Sequence, residues 1–201
     1  MHPSSLHNES MLAEWTVELG ADDPRLEIPW SAEDGSSRYL DLNRQAELLL
    51  EIPEACTYSE LAEFLNWANS PESGFETAKC DAWTSLEIST EDEVFGEPCK
   101  FGSYMDLLFV DKARRKLFEE NERFVQALAK LLRRAPEMAS SAEFTIRRCL
   151  DRRAGTEECF YITFYLNGYG EDEQQAHSRW AIALRMVQNA ILQHSASRLR
   201  G

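Results

Sequence analysis

The sequence contains no long apolar stretch, although 43% of its 201 residues are hydrophobic. A helix that crosses a membrane needs roughly 20 consecutive apolar residues, and no segment approaches that length. The first residues, MHPSSLHNESMLAEW, also lack the basic region and apolar run of a secretory signal. We therefore expect a cytoplasmic protein that does not bind a membrane.

Motifs that hold metals, cofactors or nucleophiles are also missing. The five cysteines are widely spaced and include no CxxC pair, which is typical of reduced, buried thiols rather than disulfides or a metal site. None of the four histidines has metal-ligand spacing, and the sequence has no GxSxG, HExxH, P-loop or GxGxxG motif. We therefore expect no metal, no cofactor and no catalytic residues, and the sequence favours a protein that is not an enzyme.

Positive charge is scarce in the first half of the chain. Residues 1–110 contain 5 Lys and Arg against 23 Asp and Glu, whereas residues 111–201 contain 16 against 12, and the net charge is −14. An acidic surface repels phosphate, which argues against general binding of nucleic acids. The pattern suits a basic partner protein, or self-association between the acidic half of one copy and the basic half of another.

Hydrophobic periodicity predicts a single α+β domain over residues 11–201, after a flexible tail over residues 1–10. Its predicted order from residue 57 is α-β-β-α-β-β-α, with helices at 57–70, 111–135 and 171–196, and strands at 77–88, 103–111, 141–152 and 159–170. Thr57 and Glu60 are expected to form a capping box at the first helix. The order predicts an antiparallel sheet of four to six strands, including one from the first 45 residues, with amphipathic helices mainly on one face.

Alternation along the strands sorts their residues onto two faces of the predicted sheet. The segment FYITFYLNGYG, residues 160–170, shows the pattern, because one set is apolar and the other contains tyrosine and threonine. The predicted core face carries Cys80, Ala82, Leu86, Met105, Leu107, Phe109, Phe144, Ile146, Phe160, Ile162, Phe164 and Leu166. The opposite face carries Lys79, Asp81, Trp83, Tyr104, Asp106, Glu143, Thr145, Arg147, Tyr161, Thr163, Tyr165 and Asn167.

The second face supports two interpretations. Its side chains are either cross-strand pairs that stabilise an exposed sheet, or a recognition surface in which tyrosine and tryptophan supply contact area. If the hairpin pairs Asp81 and Asp106 on one face, the two carboxylates could bind a divalent cation or shift each other's pKa, but Lys79 and Arg147 nearby favour an ion-pair network instead.

The resulting hypothesis is a non-enzymatic cytosolic protein that binds another protein through this face, with the acidic loop 87–97 at its margin. Its candidate binding residues are Trp83, Tyr104, Tyr161, Tyr165, Asp81, Asp106 and Arg147. One alternative is a small-molecule-binding domain or enzyme whose pocket lies under the N-terminal 45 residues. Another is an acidic inhibitor that mimics nucleic acid.

Overall fold

A computed structural model describes residues 11–86, 88, 95–136 and 138–198. Within these residues the strands are β1 (Leu12–Glu18), β2 (Arg25–Ile28), β3 (Phe75–Ser85), β4 (Cys99–Phe109), β5 (Ser140–Asp151) and β6 (Glu157–Gly170). The helices are α1 (Pro53–Thr57), α2 (Ser59–Ala68), α3 (Lys112–Lys116), α4 (Phe118–Leu132) and α5 (Glu173–Arg198), with a 3-10 helix at Ala46–Glu51. The predicted α+β class is therefore confirmed. The predicted tail, and residues 87 and 89–94 of the acidic loop, lie outside the described residues.

The described strands form one six-stranded sheet in the order β1-β5-β6-β4-β3, and β2 also pairs with β5. The β3–β4, β4–β6 and β5–β6 pairings are antiparallel. β1 and β2 instead run parallel to β5, so the expectation of a wholly antiparallel sheet is wrong at this edge. A strand that lies far from its partner along the chain is free of hairpin geometry, and either direction is open to it.

The three longer helices, α2, α4 and α5, cover one face of the sheet and build the main core with it. Most of the predicted core face is buried there, including Met105, Phe144 and Phe164. Cys80 and Phe160 are only half-buried. Leu86 is 70% exposed, because β3 ends one residue before it and the alternation no longer applies.

Two helix starts differ from the predictions. The helix predicted over residues 111–135 is interrupted at Leu117, which has an extended backbone and separates α3 from α4. The side chain of Asn121 donates a hydrogen bond to the Leu117 carbonyl and stabilises this break. The expected capping box is absent from the described residues, because Thr57 ends α1 and its hydroxyl donates to the Pro53 carbonyl.

A close approach between β6 and α5 depends on Gly168. A Cβ atom there would lie 2.3 Å from the backbone nitrogen of Trp180 and 2.4 Å from the carbonyl oxygen of Ala176. Glycine therefore allows the helix backbone to touch the strand backbone, and it brings the Trp180 ring into the core, where it is fully buried.

The segment between β2 and the 3-10 helix passes around the outer edge of β3. Trp30, near its start, packs with a second, smaller apolar cluster on the face opposite the helices. Leu42, near its end, belongs to the main core. The Trp30 Nε1–H donates to the Ala78 carbonyl of β3 at 2.9 Å and fixes the segment against the strand.

Candidate binding surface and groove

Three aromatic side chains form what we call the open patch, on the sheet face opposite the helices. Trp83 is 38% exposed, and Tyr104 and Tyr165 are half-buried. The rings of Tyr104 and Tyr165 come from neighbouring strands, and their centroids are 6.1 Å apart. The patch therefore presents aromatic surface from three paired strands of the sheet.

The position of the Trp83 ring depends on a glycine in the adjacent strand. Trp83 lies opposite Gly102 of β4, and a Cβ atom at Gly102 would be 3.1 Å from Cζ2 of the indole. The ring therefore lies across the β4 backbone, where a larger residue would push it away. This contact limits the orientations open to an exposed side chain.

A polar cluster is buried next to the open patch. The Thr163 hydroxyl donates to Oδ1 of Asp106 at 2.6 Å, and Arg147 Nη1 donates to the Thr163 hydroxyl at 2.8 Å and to the Tyr165 hydroxyl at 3.1 Å. Arg147 Nε donates to Glu18 of β1 at 2.6 Å. These bonds tie four strands together and hold the Tyr165 ring in place.

Asp106 is the buried carboxyl group of this cluster. It is 4% exposed, and burial raises its pKa to about 6, although the Thr163 hydrogen bond and the charges of Lys79 and Arg147 act in the opposite direction. Arg147 forms its ion pair with Glu18 rather than with Asp106. Among the described residues, the predicted ion pairs of Lys79 and Arg147 with Asp81 and Asp106 do not form, and Arg147 reaches Asp106 only through the Thr163 hydroxyl.

Asp81 and Tyr161 have different surroundings from the rest of the predicted site. Asp81 is half-buried at the edge of the sheet, and its carboxylate accepts the backbone N–H of Ala82 at 2.7 Å. Tyr161 is 4% exposed and packs in the smaller apolar cluster with Cys149 and Cys159, which lie opposite each other as free thiols. Burial raises the pKa of the Tyr161 hydroxyl. Tyr161 is therefore an interior residue and lies outside the open patch.

The far end of the same face holds a buried ion-pair network. Arg115 bonds Glu76 at 2.7 Å and Asp151 at 2.8 Å, and Arg153 bonds the same two carboxylates at 2.6 and 2.7 Å. Burial alone would raise the pKa of Asp151, but the hydrogen bonds from Arg153 lower it to about 2. The charges of these four side chains pair with one another inside the protein, so they present no free charge at this end of the face.

A β-bulge in β3 lies between the closed end and the open patch. Ala78 and Lys79 both lie opposite the single residue Asp106, between two stretches of regular antiparallel pairing. The extra residue redirects the side chains of β3 at this point. The ammonium of Lys79 lies 4.7 Å from the centroid of the Trp30 ring, within the range of a cation–π contact.

An open groove of about 610 Å³ runs beside the bulge. Its walls are drawn from residues 30–42, residues 51–54 and residues 77–81, and Tyr104 lines it at the side of the open patch. Ligand sites commonly have volumes of roughly 300–1,000 Å³. Trp30 lines this groove but is not one of the candidate binding residues that the sequence indicates. Sequence alternation does not predict the bulge in β3, and this bulge places Lys79 at the groove.

Comparison of the chain with protein-family models, curated proteins and solved structures found no match in any of the three. In the described part of the chain, no helix has the length and apolar character needed to span a bilayer. No three His, Cys, Asp or Glu side chains of that part converge on a possible metal position. The function is therefore inferred from the geometry of the open patch and the groove.

Proposed function

We propose that this chain is a non-enzymatic cytoplasmic binding protein, and that it recognises another protein through the open patch. The observation that carries the proposal is the arrangement of three partly exposed aromatic rings side by side on neighbouring strands. Tyrosine and tryptophan supply large contact areas at a small entropy cost, and they are enriched among residues that dominate binding energy. Five free thiols are typical of a reducing compartment and support the cytoplasmic assignment.

Contacts beneath the patch support a preorganised surface. Tyr165 is held by the hydrogen bond from Arg147, and Trp83 is restricted by its position over Gly102. A surface that keeps one conformation loses less free energy on association than one that must first be ordered. The acidic first half of the chain, with a net charge of −18, favours a partner with positive charge.

Pairing of carboxylates within the fold favours protein binding over mimicry of nucleic acid. Glu18, Glu27, Glu76 and Asp151 each form a salt bridge with an arginine of the same chain. A mimic needs a continuous row of free negative charge, and these internal pairs reduce it.

Capture from a lysate of the native source tests the proposal. The bait is the full chain, compared with Trp83→Ala combined with Tyr104→Ala. Leu50→Ala serves as the control, because Leu50 is also apolar and exposed but belongs to the 3-10 helix. We expect one stoichiometric protein partner with the wild type and the control, and its loss with the double variant when circular dichroism shows an unchanged fold. Retention of the partner by the double variant, or no stoichiometric partner at all, would reject the proposal.

A further inference from the structure

We propose that the groove beside the β3 bulge binds a lysine or arginine side chain carried by an extended, basic segment of the partner. The inference rests on the proposed function, because the segment belongs to the protein that the open patch recognises. Three features of the groove carry it: an aromatic face that already holds a cation, an excess of carboxylates, and continuity with the open patch.

The aromatic face is that of Trp30. Its indole N–H is bound to Ala78, so the ring is fixed relative to β3, and the Lys79 ammonium lies 4.7 Å from its centroid. In the described part of the chain, Lys79 forms no salt bridge that would hold it there. The ring therefore attracts a cation, and its present occupant is a flexible side chain that an incoming ammonium or guanidinium group can displace.

The charges lining the groove favour a cation. Arg38 and Glu51 form a pair at 3.1 Å and neutralise each other. Lys79 is then the remaining cation among the lining residues, against the carboxylates of Glu54 and Asp81. An incoming positive group gains attraction from both carboxylates, whereas an incoming anion is repelled.

Several carboxylates near the groove act electrostatically on one side chain in its wall, that of Cys80. Cys80 of β3 lines the groove, and burial raises its pKa to about 12. The next contributions come from the negative charges of Glu54, Asp81 and Asp106. Three carboxylates on three different elements therefore create negative potential at this wall of the groove.

The position of Tyr104 argues for a polypeptide segment as the occupant. Its side chain lines the groove and also packs beside Tyr165 of the open patch. A chain that lies across the patch therefore reaches the groove without leaving the protein surface. The acidic first half of this chain is complementary to a basic segment.

The test uses a short fluorescent peptide of alternating lysine and serine, and a twin in which every lysine is acetylated. Binding to the full-length chain is followed by fluorescence anisotropy at low and moderate salt. We expect the lysine peptide to bind and the acetylated twin to bind at least about tenfold more weakly, because acetylation removes the charge. Combined Asp81→Asn and Glu54→Gln should weaken the lysine peptide by about tenfold or more.

Lys79→Ala provides the sharpest comparison. Removal of the resident cation should strengthen binding of the lysine peptide by about fivefold or more, since the Trp30 face becomes free. Lys130→Ala removes the same charge from the exposed side of α4 and should change the affinity much less. Equal effects of the two variants, weaker binding by Lys79→Ala, or equal affinity for both peptides would overturn the proposal. Competition by free lysine amide at the peptide's own dissociation constant would also overturn it, in favour of a small-amine site.

Trp83→Ala separates this inference from the proposed function. Reduced peptide affinity in Trp83→Ala, together with the groove effects, supports one continuous surface. If Trp83→Ala leaves peptide binding unchanged while the groove variants alter it, the groove binds a cation but is not continuous with the open patch, and the lysate capture alone decides recognition through the patch. If the lysate partner depends on Trp83 but the groove variants and the acetylated peptide show no effect, the groove inference alone is wrong.

Discussion

Asp106→Asn tests the cost of burying a carboxyl group under the recognition face. The wild-type group has a pKa of about 6 in the folded chain, against an ordinary value of 3.8. The folded state therefore binds a proton more tightly than the unfolded state, and stability falls as the pH rises through the interval between these values. The difference of about 2 units between the folded and unfolded pKa values corresponds to about 3 kcal/mol in the free energy of unfolding, and most of it is lost between pH 4 and pH 6.

The substitution removes the titration and keeps the hydrogen bond, because the asparagine carbonyl can still accept from the Thr163 hydroxyl. Between pH 4 and pH 7, we expect the free energy of unfolding of the variant to rise by about 2–3 kcal/mol relative to that of wild type. Other carboxyl groups, including Asp151 with its lowered pKa, titrate in both proteins and cancel in the comparison.

Urea unfolding followed by far-ultraviolet circular dichroism at a series of pH values measures this difference. The slope of the free energy of unfolding against urea concentration should be the same in both proteins, so that the midpoints report stability directly. Parallel stability curves for wild type and Asp106→Asn between pH 4 and pH 7 would refute the reasoning. That result would mean that Asp106 has an ordinary pKa and is better solvated than its 4% exposure indicates.

Two further predictions concern the fold. Gly168→Ala should lower the free energy of unfolding by about 3 kcal/mol or more, because the added methyl group meets the backbone of α5. Gly20→Ala is the control and should lower it much less, because its methyl group meets only a side chain. Equal losses in urea unfolding would contradict the close approach of α5 to β6. Arg115→Ala should lower the free energy of unfolding by about 3–5 kcal/mol, because two buried carboxylates lose a partner. Arg152→Ala breaks an exposed pair and should lower it by about 0–1 kcal/mol. Similar losses for the two arginine variants, measured by thermal unfolding, would show that the buried network contributes no more than a surface pair.

The strands of the second half of the chain could be predicted because their alternation is strong and each is buried on at least one face. Phe144 and Phe164, for example, lie on the helical face where period two requires them. The parallel edge could not be predicted, because the direction of β1 depends on where the chain enters the sheet and not on its own residues. The same limit applies to Leu117, since a helix interrupted by one extended residue keeps nearly the same apolar spacing.

The candidate site was predictable in part for a similar reason. Trp83, Tyr104 and Tyr165 follow from the alternation that identifies the core face. Tyr161 has the same parity, but it is covered by a segment from the other end of the chain, and parity cannot distinguish a covered position from an open one. The contact between Lys79 and Trp30 requires both the bulge and the path of residues 29–45, and each is a tertiary feature.

The parallel pairing of β1 and β2 with β5 has a consequence for the order of assembly. β1 and β2 can pair with β5 only after Ser140–Asp151 has been synthesised, and most of the chain precedes that segment. The β3–β4 hairpin, which carries two of the exposed rings, needs only neighbouring residues to form. The groove needs residues 30–42 to lie against β3, so it is complete only when the segment that follows β2 has joined the sheet.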